Sequence, residues 1–461
     1  MTATPHTRPG RWIDGWDPED EEFWERTGKH VARRNLWLSI LSEHIGFSVW
    51  SIWSVMVLFM SPAIGLGFTA PEKFLLTTTP ALVGSLLRLP YSYAVTRFGG
   101  RNWTIISTSV LLVPTALTAY FVQQPGTELW VFLVLGALTG VGGGNFASSM
   151  TNITAFFPQR SQGWALGLNA GGGNIGVAVI QVVGLLVIAL AGSTSPALVA
   201  GVYLPLIVLA TLLAALRMDN IDAVVAEPGA QLEVVRDRNA WWISLLYIGT
   251  FGSFIGYGFA FGLVLQNEFG FTPLQAATWT FLGPLLGSLA RPIGGRMSDH
   301  WSGARVTFWN FLAMAAATGL LLVASGLRSF PLYLAAFIVL FVLAGIGNGS
   351  VFKMIPGIFA RRADHSVASG ADPTPAFAHA RRLSGALMGV AGAVGGLGGV
   401  FINLTFRASF DGAEANGDAA LLTFLVFYLV CVAVTWAVYL RRTPAPATAR
   451  EKPIAQGATS A

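Results

Sequence analysis

Twelve apolar runs, each close to the ~20 residues that a helix needs to cross the hydrocarbon core of a bilayer, follow one another along a chain of 461 residues. They lie at about 36–60, 74–96, 103–122, 129–152, 164–191, 197–216, 241–266, 274–297, 305–325, 331–358, 384–406 and 419–440. Lipid offers backbone groups no partner, so a spanning segment must satisfy its own hydrogen bonds as a helix or in a closed barrel. Runs of this length predict an all-α integral membrane protein with twelve transmembrane helices. The charged fraction agrees: it is 11%, against about 25% in soluble globular chains. The single cysteine, Cys431, lies in an apolar run and leaves no internal disulfide or cysteine metal cluster to build.

Lysine and arginine orient the chain. With both termini cytoplasmic, 22 of the 28 basic residues fall on that side, among them Arg33, Arg34, Arg97, Arg101, Arg160, Arg217, Arg361, Arg362, Arg381 and Arg382. Only Lys73, Arg328 and Arg407 fall outside, and Arg88, Arg291 and Lys353 lie within spans. The formal charge of +5 therefore reflects topology, and nucleic acid is not an expected partner.

Residues 1–35 read as a cytoplasmic segment. They are polar, with Asp17-Pro18-Glu19-Asp20-Glu21-Glu22 where a signal peptide would be apolar. Asp17 suits a helix cap and the acids suit the positive end of a helix dipole. The expectation is a short helix on the cytoplasmic face, with Trp12, Trp16 and Trp24 resting on the membrane surface; a partner-binding role is the other reading. Residues 36–216 then form one six-helix half, 217–240 a polar linker, 241–440 a second half and 441–461 a cytoplasmic tail. A second polar loop is expected at 360–382.

The halves repeat. At an offset of 203 residues, Gly84, Ser85 and Arg88 match Gly287, Ser288 and Arg291; Gly144-Asn145 matches Gly347-Asn348; Ile45-Gly46 matches Ile248-Gly249. In the fifth and eleventh runs Gly167, Gly173 and Gly176 match Gly389, Gly395 and Gly398 at an offset of 222, which the loop 360–382 accounts for. A duplicated six-helix unit predicts a secondary carrier with its site between pseudo-symmetric halves.

Arg88 and Arg291 are the candidates for that site. A charge at membrane depth costs ~2.5 kcal/mol or more and persists where it faces a cavity or partner. Each guanidinium is a planar fork of donors that fits an oxyanion. Ion pairing with buried acid is the alternative, but Glu43 is the main acid within the spans, and one acid does not neutralise two arginines. Glu43 and His44 are adjacent and read either as a proton-carrying pair or as a structural hydrogen-bonded one. The glycines of runs five and eleven serve close helix packing and approach to a small ligand. Lys353 is expected to snorkel to the cytoplasmic end of its run. The loops at 96–101 and 294–305 offer glycine turns and arginines that latch helix ends. Phenylalanines beside paired arginines predict a small pocket. With no nucleophile–base set, metal cluster or cofactor fingerprint, neither an enzyme nor a bound cofactor or metal is expected.

On these residues the chain resembles the major facilitator superfamily and, within it, the nitrate/nitrite porters of the NarK type. The resemblance is carried by Trp16-Asp17-Pro18-Glu19-Asp20, Arg33-Arg34-Asn35-Leu36-Trp37, Asn145-Phe146-Ala147-Ser148-Ser149, Gly167-Leu168-Asn169 with Gly173-Asn174, and Thr250-Phe251-Gly252-Ser253-Phe254-Ile255-Gly256. It implies that Arg88 and Arg291 bind nitrate or nitrite. It further implies that Tyr257 and Asn174 complete the hydrogen bonding with Gly171 nearby, that Phe47, Phe146 and Phe261 form aromatic walls and gates, and that Gly389 lines the pocket. Two departures stand out. Gly392 replaces an expected small hydroxyl residue, and Glu43-His44 falls where relatives are apolar. The implied activity is a monomeric carrier in the cytoplasmic membrane, taking up nitrate in exchange for nitrite. Proton–nitrate symport is the alternative; a porter for another organic anion or drug of the same fold, or a membrane nitrate sensor, follows less directly.

Overall fold

The structure, a computed structural model, describes residues 7–222, 228–412 and 415–441. The tail beyond Arg441 and the centre of the linker, 223–227, lie outside the described residues. The chain is almost wholly helical. The helices are α1 (Lys29–Trp50, continued by Trp53–Phe59), α2 (Ala70–Phe98), α3 (Gly100–Phe121), α4 (Leu129–Phe156), α5 (Gln159–Ala191), α6 (Ala197–Arg217), α7 (Arg238–Phe269), α8 (Pro273–Thr280, continued by Leu282–Trp301), α9 (Gly303–Gly326), α10 (Phe330–Ala368), α11 (Pro373–Asp411) and α12 (Asp418–Leu440). Ten helices of the described chain are long and apolar enough to cross a membrane. The two outside that set are α2 and α8, which carry Arg88 and Arg291. The same charges that mark the candidate site lower the hydropathy of the helices that hold it.

The duplication is visible in how helices begin. Thr69 and Glu72 form a capping box at the start of α2, and Thr272 and Gln275 form one at the start of α8. These threonines are 203 residues apart, as are the two arginines. Each box satisfies first-turn N–H groups reciprocally, so both helices start at equivalent heights. Pro90 in α2 and Pro292 in α8 remove a backbone donor close to each arginine. Glycine lets the paired helices approach: a Cβ at Gly345 would collide with the Gly287 carbonyl. Between halves, α2 packs on α11 and α5 on α8, while α1 and α7 meet at one end. Large side chains such as Leu86, Leu190, Leu216, Val323 and Trp309 are exposed around the bundle, as a lipid-facing belt requires.

Three expectations change. The loop 360–382 is almost entirely helical, because α10 continues to Ala368 and α11 begins at Pro373. Hydropathy marks where a helix leaves lipid, not where it ends. The glycines Gly294 and Gly295 do not make a turn: α8 runs through them to Trp301, and Gly294 instead admits the backbone of Ile346. The tryptophans of the N-terminal segment are not spread on a surface. Trp16 and Trp24 are buried against Phe156 and Phe157 with Ile13 and Ile221, and Trp12 is half-buried.

That segment is tied to the start of the linker by a small sheet. Strand β1 (Thr7–Arg8) pairs antiparallel with β2 (Trp12–Ile13), which pairs parallel with β3 (Asn220–Ile221). Asp219 receives Arg11 at 2.8 Å and Arg34 at 2.5 Å. Arg101 donates to the Ala215 carbonyl at 2.6 Å, latching the end of α6 within its own half. The linker also carries a short helix, Pro228–Val235, that packs on α11.

Candidate functional site

Arg88 and Arg291 meet around one aromatic ring. The Arg88 guanidinium carbon lies 4.8 Å from the centroid of Phe146, 4.5 Å from Phe251 and 5.6 Å from Trp50. Arg291 lies 5.8 Å from Phe146 and 5.3 Å from Phe352. Both are buried, with 1% and 8% of their surface exposed. Neither forms an ion pair among the described residues. Arg88 donates to the Gly392 carbonyl at 2.9 Å through Nη1, while its Nε and Nη2 have no partner. Arg291 approaches the Tyr247 hydroxyl at 3.4 Å through Nη2, and its Nη1 has none. Ring faces partly stabilise the two cations, but the unsatisfied donors leave two half-used forks on either side of the Phe146 ring.

A cavity of about 690 Å³ reaches this place from the end of the molecule that bears the N-terminal segment and linker. Arg88, Phe146, Phe352, Gly389 and Gly392 line it within the bundle; Glu19, Gln159, Gln231 and Arg381 line its mouth. This volume is larger than the small pocket expected from sequence, because one side is open. The opposite end is shut. Phe74 stacks on Phe406 and Phe410, Thr77 donates to Asn403 at 2.8 Å, and Gln181 donates to the Gly258 carbonyl at 2.8 Å. Each of these contacts joins one half to the other.

Of the residues singled out in the sequence, Arg88, Arg291, Phe146 and Gly389 come together here. Phe47 is one ring further out, 6.1 Å from Phe146. Asn174 is fully buried with its carboxamide unpartnered, and Gly171 faces open space. Tyr257 and Phe261 are placed elsewhere. The Tyr257 hydroxyl pairs with that of Tyr428 at 2.6 Å, and Phe261 stacks on Phe337 at 4.2 Å. The tyrosine beside Arg291 is Tyr247, ten residues earlier, stacked on Phe251 at 5.2 Å. A π turn at Ile248–Gly252 separates the two tyrosines, and such turns recur where helices are shaped for function. Gly395 leaves the room Tyr247 occupies, since a Cβ there would collide with its ring. Sequence reasoning missed Tyr247, Phe251, Phe352 and Trp50; the quoted run 250–256, with Phe251 inside it, was the available signal.

Glu43 and His44 do not pair. Glu43 takes hydrogen bonds from Ser149 and Asn169, whereas His44 Nδ1 lies 3.1 Å from the Gly172 carbonyl. Adjacent helical positions point about 100° apart, which suits this divergence. Lys353 forms an ion pair with Asp299 at 2.7 Å, half-exposed at the end of α8. At the start of α7, burial raises the proton affinity of Asp237, but hydrogen bonds from Arg362 and Asn239 outweigh it and hold the carboxyl below its ordinary value.

A helical bundle of two repeated halves with a polar site between them defines a membrane carrier, and comparisons agree. The family described as Major Facilitator Superfamily matches residues 36–403. Nitrate/nitrite transporter NarU of Salmonella typhimurium (strain LT2) is 41% identical over 451 residues, 94% of this chain and 97% of that protein. Probable nitrate/nitrite antiporter NarK2 of Thermus thermophilus is 32% identical, covering 94% of this chain and 97% of that one. A bacterial homolog of the human lysosomal transporter Spinster, solved inward-facing and occupied, aligns with a TM-score of 0.66 at 15% identity over 89% of this chain and 98% of that chain. The D-xylose–proton symporter aligns at 0.64 and 14% identity over 88% and 97%. These likenesses between structures concern the fold alone. The chain belongs to the major facilitator superfamily and, within it, to the nitrate/nitrite porter family. It is a multi-pass membrane protein and a transporter rather than an enzyme.

Proposed function

We propose that this protein carries nitrate and nitrite across the cytoplasmic membrane by alternating access, taking up nitrate in exchange for nitrite, as a monomer with both termini in the cytoplasm. The observation that carries the reading is the pair of buried, unpaired guanidinium groups, one from each half, that share the Phe146 ring. The relatives at 41% and 32% identity, a nitrate/nitrite transporter and a probable nitrate/nitrite antiporter, supply the anion. A planar monovalent oxyanion accepts from both forks at once. In the proposed orientation the cavity opens to the cytoplasm. The divisions at 36–216 and 241–440 are read as the two bodies that rock about the site, with 217–240 joining them.

The electrostatics favour exchange. An empty site holds two cations in surroundings that screen them poorly, so bringing the halves together around it is opposed. A bound anion cancels much of that repulsion and lets the halves close and reopen on the other side. Nitrate entering and nitrite leaving keep the site occupied during each crossing. The test is counterflow in proteoliposomes: nitrite loaded inside should drive labelled nitrate in, and unloaded vesicles should take up far less at matched pH. Equal uptake with and without internal nitrite would remove obligatory exchange. Transport of neither anion would point to another solute for the same cavity.

A further inference from the structure

Glu43 of α1 is an acid buried beside the arginine site, with 1% of its surface exposed. Its Oε2 accepts from the Ser149 hydroxyl and, at 2.7 Å, from Asn169 Nδ2; its Oε1 has no partner. The carboxyl fits because position 173 is glycine: a Cβ there would collide with Oε1. Asn169 Nδ2 also lies 3.7 Å from the sulfur of Met150, and Met150 lines the cavity, so the carboxyl sits one side chain behind the cavity wall.

Among the described residues no cation bonds this carboxyl, and Arg291 and Arg88 act on it through space. Around the Lys29–Trp50 part of α1, which carries Glu43, pack α2, α3, α4, α5 and α6. From these, α2 presents Arg88 and the opposite half presents Arg291. The side chains of α4 and α5 that bond it, Ser149 and Asn169, are uncharged. Arg101 of α3 is held away at the end of α6 by the Ala215 carbonyl, and His44 is turned to Gly172. The electrostatic unit is therefore two permanent cations and one acid.

We propose that Glu43 is a proton-binding site coupled to the anion site, so that an entering anion brings one proton onto Glu43. An ionised carboxylate and a bound nitrate are two like charges drawing on the same two arginines, and in a desolvated place like charges disfavour joint ionisation. Nitrate does not take the proton at ordinary pH; the carboxyl does. The step balances: carboxylate, one proton from bulk water and one nitrate ion give a neutral carboxyl with nitrate bound, and departure of the anion releases the proton. Nitrate and nitrite carry the same charge, so one-for-one exchange moves no net proton. Net nitrate uptake without a counter-anion moves one. Exchange stays the favoured mode, and the slower net uptake that occurs without internal nitrite is proton-coupled at the same site. This inference rests on the nitrate/nitrite reading above.

The experiment uses the purified full-length protein in weakly buffered solution with a pH indicator, titrated with nitrate. Wild type should take up a proton on binding, approaching one per nitrate, and its affinity should fall up to about tenfold per pH unit above the Glu43 transition, the slope of one linked proton. Glu43→Gln should bind nitrate with no proton uptake and no such slope. If that variant does not fold, Ser149→Ala and Asn169→Ala, which each remove a donor to the carboxyl, must displace the transition along the pH axis. Wild-type binding without proton uptake, a Glu43→Gln profile like wild type, or an undisplaced profile in both donor variants would overturn the proposal. Absence of nitrate binding by wild type at every pH would instead sink the substrate reading, and this inference with it.

Discussion

Tyr247 and Tyr257 show what one residue's neighbours decide. Both are tyrosines in one apolar run, and both hydroxyls need a partner at depth. Which one meets an arginine depends on Tyr428, 171 positions from Tyr257, on the π turn between them, and on Gly395, where a missing side chain seats Tyr247. None of these reads out of local sequence. The arginines were legible for the opposite reason: nothing local explains a permanent charge within an apolar run, and the repeat supplied its counterpart. Glu43 was legible as an oddity, but its separation from His44 and its bonds to Ser149 and Asn169 required the packing of α1, α4 and α5. Two expectations follow at this scale. Tyr247→Phe removes the hydroxyl beside Arg291 and should weaken nitrate binding about tenfold, near the ~1.4 kcal/mol of one hydrogen bond involving a charged group; calorimetry checks it, and an unchanged affinity would take Tyr247 out of the site. Gly395→Ala should displace the Tyr247 ring and lower exchange in proteoliposomes severalfold without unfolding the protein.

At the scale of helices, twelve spans were readable because each apolar run matches the bilayer, and their number survives in the structure even where α2 and α8 are less apolar than the rest. Helix ends were less readable. Exposed positions from 360 to 368 stay helical outside lipid, since helix formation there needs only propensity and water-accessible polar groups. The start of α7 carries a testable anchor. Asp237 caps it by accepting from Asn239 N at 2.9 Å and pairs with Arg362 at the far end of α10. Because its folded carboxyl titrates below the ordinary value near 3.8, its contribution is present above that value and is lost as pH falls beneath it. Asp237→Ala should cost about 1 kcal/mol, the usual worth of an N-cap. The thermal midpoint in detergent should drop by a few degrees at neutral pH and by less near pH 3; an equal drop at both would contradict an ionised cap.

At the scale of the whole molecule, the two halves lean together at one end and apart at the other. The shut end depends on aromatic stacking of Phe74 with Phe406 and Phe410 and on the Thr77–Asn403 bond. Alternating access requires the population of this state to answer to that seal. Phe74→Ala should therefore shift molecules away from it, and a cysteine placed at Gln162, on the cavity wall, should be labelled severalfold more slowly by a polar thiol reagent when Cys431 has been replaced; an unchanged rate would separate the seal from the conformational balance. The conformation itself was not legible, because both states of a carrier share one sequence. The account turns on whether the facing guanidinium groups bind one anion together. The most direct measurement is nitrate affinity by calorimetry for wild type, Arg88→Ala and Arg291→Ala, each checked for a normal thermal unfolding transition. Loss of about 100-fold or more in both folded variants is predicted, as expected when one member of a desolvated charge pair is removed; wild-type affinity in either one would contradict a shared site.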